Sequence, residues 1–324
     1  MGILRSKRPL LHLNSSVCYA DEMQFCVSLQ TDRVDLGAEF ASGEGVATVA
    51  RAAEAAGFAA VFVTEHPFPE DQWMATGGHH ALDPFVTLAV AAAATTRLRV
   101  LTNLCVVPYH NPYVLAKTVA TVDVLSGGRL ILGCGAGYLE PEFAAVGASF
   151  ADRNERFDTA LVAMKAAWTG DSVPVPASGA MHTMRPRPLQ QPHPPIWIGG
   201  NSRRALRRAV EHGDGWMPFP NPASTATRRR TPELVTIEQL AARLDEAREL
   251  EARFGRTLRD VMFSPVGVDA YGTPGWDAGA FLEVVEQLAA IGVTMCAVHL
   301  PAHSRAEYCD LLASFGAEVL SGSR

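Results

Sequence analysis

The chain has 324 residues, of which 48% are hydrophobic and 19% charged, and this suits one large α/β barrel or two ordinary globular domains. Its net charge of −6 excludes the broad basic surface expected of a nucleic-acid-binding protein. The six cysteines form no CxxC pair and no apolar run reaches the roughly 20 residues of a membrane span. We therefore predict a cytoplasmic protein with reduced thiols, no structural metal site and no membrane partner.

The first 22 residues need separate treatment. Arg5 to Arg8 precede an apolar segment that is short and is interrupted by His12 and Asn14, which argues against a signal peptide. We predict a flexible N-terminal extension over 1–22 and a single catalytic barrel domain over 23–324.

From residue 23 onward, short apolar runs alternate with amphipathic stretches. The predicted strands are 24–30, 61–64, 98–107, 129–133, 196–198, 215–217, 262–268 and 295–299. The predicted helices are 45–56, 83–95, 112–125, 153–168, 202–212, 237–254, 278–291 and 305–315. The proline-rich segment 170–195 interrupts this order, and we expect a long loop there with a small hairpin.

Eight strands, each followed by a helix, predict an α/β fold of the (β/α)8 TIM-barrel type with insertion loops at its C-terminal face. A doubly wound open sheet is the alternative, but the first strand is not followed by a Gly-x-Gly-x-x-Gly motif. Active sites of such barrels lie at the C-terminal ends of the strands. The long loops 66–82, 135–152, 218–236 and 269–279 are therefore the expected walls of a substrate pocket.

Gly199, Gly200, Asn201 and Ser202 connect the fifth predicted strand to a helix. The glycines allow a ligand close to the backbone, and the first N–H groups of a helix attract anions, so this turn has the properties of a phosphate site. An ordinary capped turn is the alternative. At the end of the fourth strand, Gly133, Gly135 and Gly137 leave room either for a flat ligand or for a tight bend.

Two further strand ends carry polar groups. Glu65 and His66 close the second strand, where an imidazole is suited to acid/base chemistry, although the motif by itself favours a hydrogen-bonded structural histidine. Thr102 and Asn103 interrupt the apolar third strand near its end, either for function or to bond a neighbouring strand.

Taken in order, these motifs resemble the luciferase-like monooxygenase superfamily of flavin and deazaflavin barrels. The resemblance is carried by 53–66, by 119–138 and by 192–216, and it covers about 23–316. Within the superfamily the chain looks most like the branch that uses the deazaflavin coenzyme F420.

The resemblance implies a role for each matching position. His66 would give or take a proton near the reactive face of the cofactor, and Glu65 would be one of the cofactor-binding residues. The Asn103–Leu104 bond corresponds to a non-prolyl cis peptide that would press on the ring from behind. The cofactor loop would be Gly135, Ala136, Gly137 and Tyr138, and the phosphate loop Gly199, Gly200, Asn201 and Ser202.

The chain also departs from the sugar-phosphate-oxidising members of the branch. Tyr138 aligns with the glutamate that assists the histidine there, with Glu140 and Glu142 just beyond, and the clustered lysines of a substrate-phosphate site are missing. Sugar-phosphate dehydrogenase activity is therefore not predicted.

Three functions remain. The favoured one is hydride transfer between coenzyme F420 and a small organic substrate. The alternatives are a monooxygenase that uses reduced FMN and oxygen, and a non-catalytic flavin-binding barrel. A homodimer is expected because dimers are common in the superfamily.

Overall fold

A computed structural model describes residues 23–175 and 177–321, so the predicted extension 1–22 lies outside the described residues. Eight parallel strands form a closed barrel, because each pairs with the next and the last pairs with the first. They are β1 (Gln24–Ser28), β2 (Ala60–Val63), β3 (Arg99–Thr102), β4 (Leu130–Gly135), β5 (Ile196–Gly199), β6 (Gly215–Met217), β7 (Asp260–Phe263) and β8 (Met295–Val298). The predicted (β/α)8 TIM barrel is confirmed.

Helices surround the strands. They are α1 (Gly43–Ala56), α2 (Asp71–Ala75), α3 (Pro84–Ala94), α4 (Pro112–Leu125), α5 (Glu140–Ala145), α6 (Arg153–Trp168), α7 (Arg203–His212), α8 (Ala223–Arg229), α9 (Ile237–Phe254), α10 (Ala278–Ile291) and α11 (Arg305–Phe315). The short helices α2, α5 and α8 lie in three of the loops predicted to wall the pocket. No helix in the described part of the chain has the length and apolar character required to cross a bilayer.

Local sequence explains where many of these helices start and stop. The Asn111 side chain accepts hydrogen bonds from the first N–H groups of α4, and Pro112 fits the first turn because it has no N–H to leave unsatisfied. The C-terminal end of α1 is marked by Gly57, which has a left-handed φ of 97°, a conformation that glycine adopts without steric cost.

The interior of the barrel is packed rather than open. Every strand contributes at least one buried side chain to a central cluster, whose members are Cys26, Ala60, Leu101, Ile131, Trp197, Met217, Met262, Met295 and Ala297. A second, larger cluster fills the layer between strands and helices. Ligands must therefore bind at the mouth, where the strands end.

The structure differs from the prediction at two strands. The predicted strand 98–107 ends at Thr102 and resumes at Cys105–Val106, which pairs with β4, and the Asn103–Leu104 peptide bond between them is cis. The predicted strand 262–268 ends at Phe263, and Ser264 and Pro265 instead line a cavity at the mouth. Within 170–195, a small hairpin pairs Val173–Val175 with Ala180–His182, as expected.

Candidate active site

His66 lies directly beyond β2 with a side chain that is only 8% exposed. Its Nδ1 lies 3.2 Å from Oε2 of Glu142, a carboxylate on α5 that is 1% exposed. Oε2 also accepts a 2.9 Å hydrogen bond from the Tyr109 hydroxyl, and Oε1 accepts one of 3.1 Å from the Phe68 N–H. Glu142 therefore fixes the orientation of the imidazole and leaves Nε2 as the nitrogen available to a ligand.

Two aromatic side chains from the loop after β2 pack on His66. The ring of Trp73 lies 4.6 Å from it at a tilt of 35°, and the ring of His79 meets it edge-on at 4.7 Å. Burial, reinforced by the neighbouring His66, lowers the pKa of His79. His79 is therefore neutral at physiological pH, and the two imidazoles avoid carrying like charges in contact.

Tyr138 is half-buried at the end of the predicted cofactor loop. Burial raises the pKa of its phenol, while Arg229 and Arg228 and a hydrogen bond from Trp73 act in the opposite direction. The predicted cofactor loop and the loop that carries Trp73 therefore meet beside His66.

Leu104 brings together three predicted site segments. A Cβ atom added to Gly135 or to Gly199 would collide with the Leu104 side chain, so both glycines make room for it. Gly137 has a left-handed φ of 75°, and a Cβ there would overlap Phe143 and Val106. Part of the space that the glycines provide is thus occupied by the protein itself.

A cavity of about 410 Å³ opens at the barrel mouth beside the cis Asn103–Leu104 bond. Its lining includes Asn103, together with Ser28, Phe62 and Ser264 from neighbouring strand ends. This volume falls within the range of about 300–1,000 Å³ that is typical of small-molecule sites.

The turn after β5 is held in place by hydrogen bonds to neighbouring parts of the chain. The Gly200 N–H donates to the Met217 carbonyl, and the Asn201 N–H donates to the Thr231 hydroxyl. The Asn201 side-chain amide is also fully hydrogen-bonded within the protein, because it bonds the backbone of Phe219 and Pro232 in the loop after β6. Ser202 caps α7 by accepting from the Ala205 N–H.

Glu65 points away from His66 into a buried polar cluster. Its carboxylate accepts a 2.5 Å hydrogen bond from the Val106 N–H and lies 2.8 Å from His110 Nε2. Burial alone would lower the pKa of His110, but the bond to Glu65 and its charge outweigh burial and raise it. A carboxylate oxygen of Glu65, the sulfur of Cys105 and a ring nitrogen of His110 lie within 4.8 Å of one another. We interpret this group as an ion pair beside a buried thiol.

The comparison with known families decides which barrel this is. A sequence model described as luciferase-like monooxygenase matches residues 23–264. The chain belongs to this family. Luciferase-like enzymes are F420- or flavin-dependent oxidoreductases and monooxygenases, which confirms the predicted resemblance and the class of enzyme.

Curated luciferase-like relatives include an uncharacterized Mycobacterium tuberculosis protein, 32% identical over 208 residues, which are 56% of this chain and 70% of that protein. The FMNH(2)-dependent dimethylsulfone monooxygenase of Pseudomonas putida is 28% identical over 230 residues. That match covers 69% of this chain but only 56% of the relative.

Solved luciferase-like structures support the fold. The monooxygenase RslO1 from Streptomyces bottropensis has a TM-score of 0.69 at 23% identity, covering 93% of this chain and all of that one. The coenzyme F420 dependent tetrahydromethanopterin reductase from Methanopyrus kandleri has a TM-score of 0.67 at 16% identity, with 94% of this chain covered and 100% of that one.

Sequence reasoning placed His66 and Tyr138 at the mouth of this luciferase-like barrel but missed the partner of His66. The glutamate beside His66 is Glu142, four residues beyond the position where the alignment places Tyr138. The short helix α5, which begins at Glu140, carries the Glu142 carboxylate to the imidazole. The acidic residues after the glycine loop were the available signal.

Proposed function

We propose that this protein transfers hydride between the deazaflavin coenzyme F420 and a small organic substrate, with His66 as proton donor or acceptor. The observation that carries the proposal is the buried His66–Glu142 pair at the end of β2, 3.2 Å apart. A carboxylate that accepts a hydrogen bond from one imidazole nitrogen sets the tautomer of the ring, and so determines whether the other nitrogen can accept or donate a proton.

The residues at the mouth fit a cofactor of this kind. The cavity beside Asn103 is large enough for a ring system, and Gly199 at the end of β5 lies against Leu104, the residue that follows Asn103. Among the described contacts, the N–H groups of Arg203 and Arg204 in the first turn of α7 have no acceptor, which suits a phosphate group. Because the side-chain amide of Asn201 is already hydrogen-bonded within the protein, we infer that this residue shapes the turn and does not bind the cofactor through its side chain.

When bound, F420 supplies the ring carbon that gives or takes hydride, while the protein supplies orientation and a proton. His66 Nε2 exchanges that proton with the substrate. Glu142 acts as a positioning residue through His66 Nδ1, and Trp73 covers the imidazole and excludes water.

A monooxygenase that uses reduced FMN is the second candidate. The specific observation in its favour is the similarity to the dimethylsulfone monooxygenase of Pseudomonas putida, whose name states FMNH(2) dependence. The same histidine and cavity would serve that chemistry.

Titration of the protein with F420 and with FMN, followed by fluorescence, tests the choice of cofactor. We expect tighter binding of F420, and tighter binding of FMN together with substrate-dependent oxygen consumption would establish the second candidate. His66→Ala should bind the cofactor normally and lose about 10²–10⁴-fold in turnover, as for removal of an acid/base group. His80→Ala is the matched control, because His80 is an exposed histidine on the same loop. Unchanged turnover in His66→Ala would exclude the proposed role.

We further propose a cytoplasmic homodimer. Exposed Val86, Val114 and Val162 lie on α3, α4 and α6, and contacts join α4 to both α3 and α6. Large apolar side chains exposed on adjacent helices favour burial against another subunit. Light scattering of the purified protein measures the mass directly, and a monomer at micromolar concentration would contradict this proposal.

A further inference from the structure

Two neighbouring arginines lie in the loop after β6, and one of them contacts the loop after β2. The exposed Arg228 donates a 2.6 Å hydrogen bond from Nη1 to the Thr76 carbonyl, in the loop that also carries Trp73 and His79. The half-buried Arg229 bonds Asn221 at 3.3 Å, and its guanidinium lies 5.7 Å from the Phe219 ring centroid. Both side chains are therefore held in place by neutral groups.

Neither guanidinium has an acidic partner within 4.0 Å in the described part of the chain. The next residue differs in this respect, because Arg230 forms a 3.1 Å salt bridge with Glu140. Each guanidinium has five N–H donors, and the contacts described for Arg228 and Arg229 use one donor each. Two positive charges with spare donors thus face the mouth without neutralisation.

These charges lie close to the groups around His66. Arg228 bonds the Thr76 carbonyl, and the Thr76 hydroxyl donates to the carbonyl of Trp73. In keeping with this placement, the positive charges of Arg229 and Arg228 act to lower the pKa of the Tyr138 phenol. His79 touches His66, and Trp73 touches both. The loop that carries the arginines therefore contacts the loop whose aromatic side chains pack on His66.

We propose that Arg228 and Arg229 bind an anionic group of the substrate, so that this enzyme acts on organic carboxylates, sulfonates or phosphates. This proposal rests on the proposed function. The proposed function assigns the cofactor phosphate to the first turn of α7, and on that basis the anion at the arginines is assigned to the substrate. Arginine forms strong, paired hydrogen bonds with such groups.

Calorimetric titration with benzoate and benzamide tests the proposal, because the two probes share a shape and differ in charge. Benzoate should bind the native protein at least about tenfold more tightly than benzamide, a difference near 1.4 kcal/mol. The Arg228→Gln/Arg229→Gln double variant should lose this preference. The Arg228→Lys/Arg229→Lys variant, which keeps both charges, should retain most of it, and thermal melting verifies that both variants are folded.

A second comparison distinguishes substrate from cofactor. FMN and riboflavin differ by one phosphate, and the ratio of their affinities should be the same in the native protein and in the glutamine double variant. A fall in that ratio would assign the arginines to the cofactor phosphate and overturn the proposal. Equal binding of the two benzoyl probes to the native protein, or a preference that persists in the double variant, would also overturn it.

Arg253→Gln is the matched control, because Arg253 is an exposed arginine that lies on α9 and not in the loop after β6. It should leave both comparisons unchanged. The benzoate titration is run on the protein alone and after FMN saturation. Failure of both F420 and FMN to bind would reject the proposed function, whereas the titration of the protein alone still tests the anion site.

Discussion

Replacing Glu142 by glutamine tests the role assigned to the His66 pair. Glutamine preserves the shape of the side chain and can still accept from the Phe68 N–H, but its amide can present a donor where Oε2 faces His66 Nδ1 and Tyr109. A hydrogen bond to a charged group contributes about 1.5–3 kcal/mol. The loss of one such bond corresponds to a decrease of about 10- to 150-fold in the rate of the step that uses His66.

The tautomer of His66 is measurable without a substrate. Long-range ¹H–¹⁵N NMR spectra should show the proton on Nδ1 in the native protein and a shift toward Nε2 in Glu142→Gln. Turnover should fall while the dissociation constant of the cofactor stays the same. The matched control is Glu140→Gln, which changes a carboxylate that is 59% exposed on the same helix. Native turnover and an unchanged tautomer in Glu142→Gln would refute this reasoning.

Two further predictions concern packing and acid stability. Gly199→Ala should weaken cofactor binding by displacing the Leu104 side chain, and Leu104→Ala in the same protein should restore it, measured as a double-mutant cycle of dissociation constants. Although burial alone would raise it, backbone N–H donors lower the pKa of Glu54 to about 2. The stabilisation by ionised Glu54 is therefore complete above pH 4.5 and is lost as the pH falls toward 2. Urea titrations should show that Glu54→Gln lowers the free energy of unfolding by about 1 kcal/mol at pH 7 and leaves it unchanged near pH 2. A constant difference across that range would contradict the second prediction.

The order of strands and helices could be predicted because parallel barrel strands are apolar on both sides and turns carry glycine, proline and capping residues. The single interruption by Asn103 also marked a real change, since β3 ends there and the chain resumes beside β4. The end of β7 was not predictable from apolarity alone. Pro265 has no N–H for a sheet bond, and the chain turns away to line the cavity.

The glycines show why the site could be predicted only in part. Sequence reasoning left two explanations open for Gly135 and Gly199, space for a ligand or an ordinary tight turn, because a sequence does not reveal which side chain approaches a glycine. The structure adds Leu104 as an occupant of that space. Glu142 was hidden for a similar reason, because its contact with His66 joins residues 76 positions apart.

The sulfur atoms of the core have a consequence for an enzyme of this family. Cys26, Cys105, Cys134 and Cys296 are buried, and burial is the main cause that raises the pKa of each thiol. Oxidants attack the thiolate, which is scarce under these conditions. A peroxide would therefore react only slowly with these four buried cysteines.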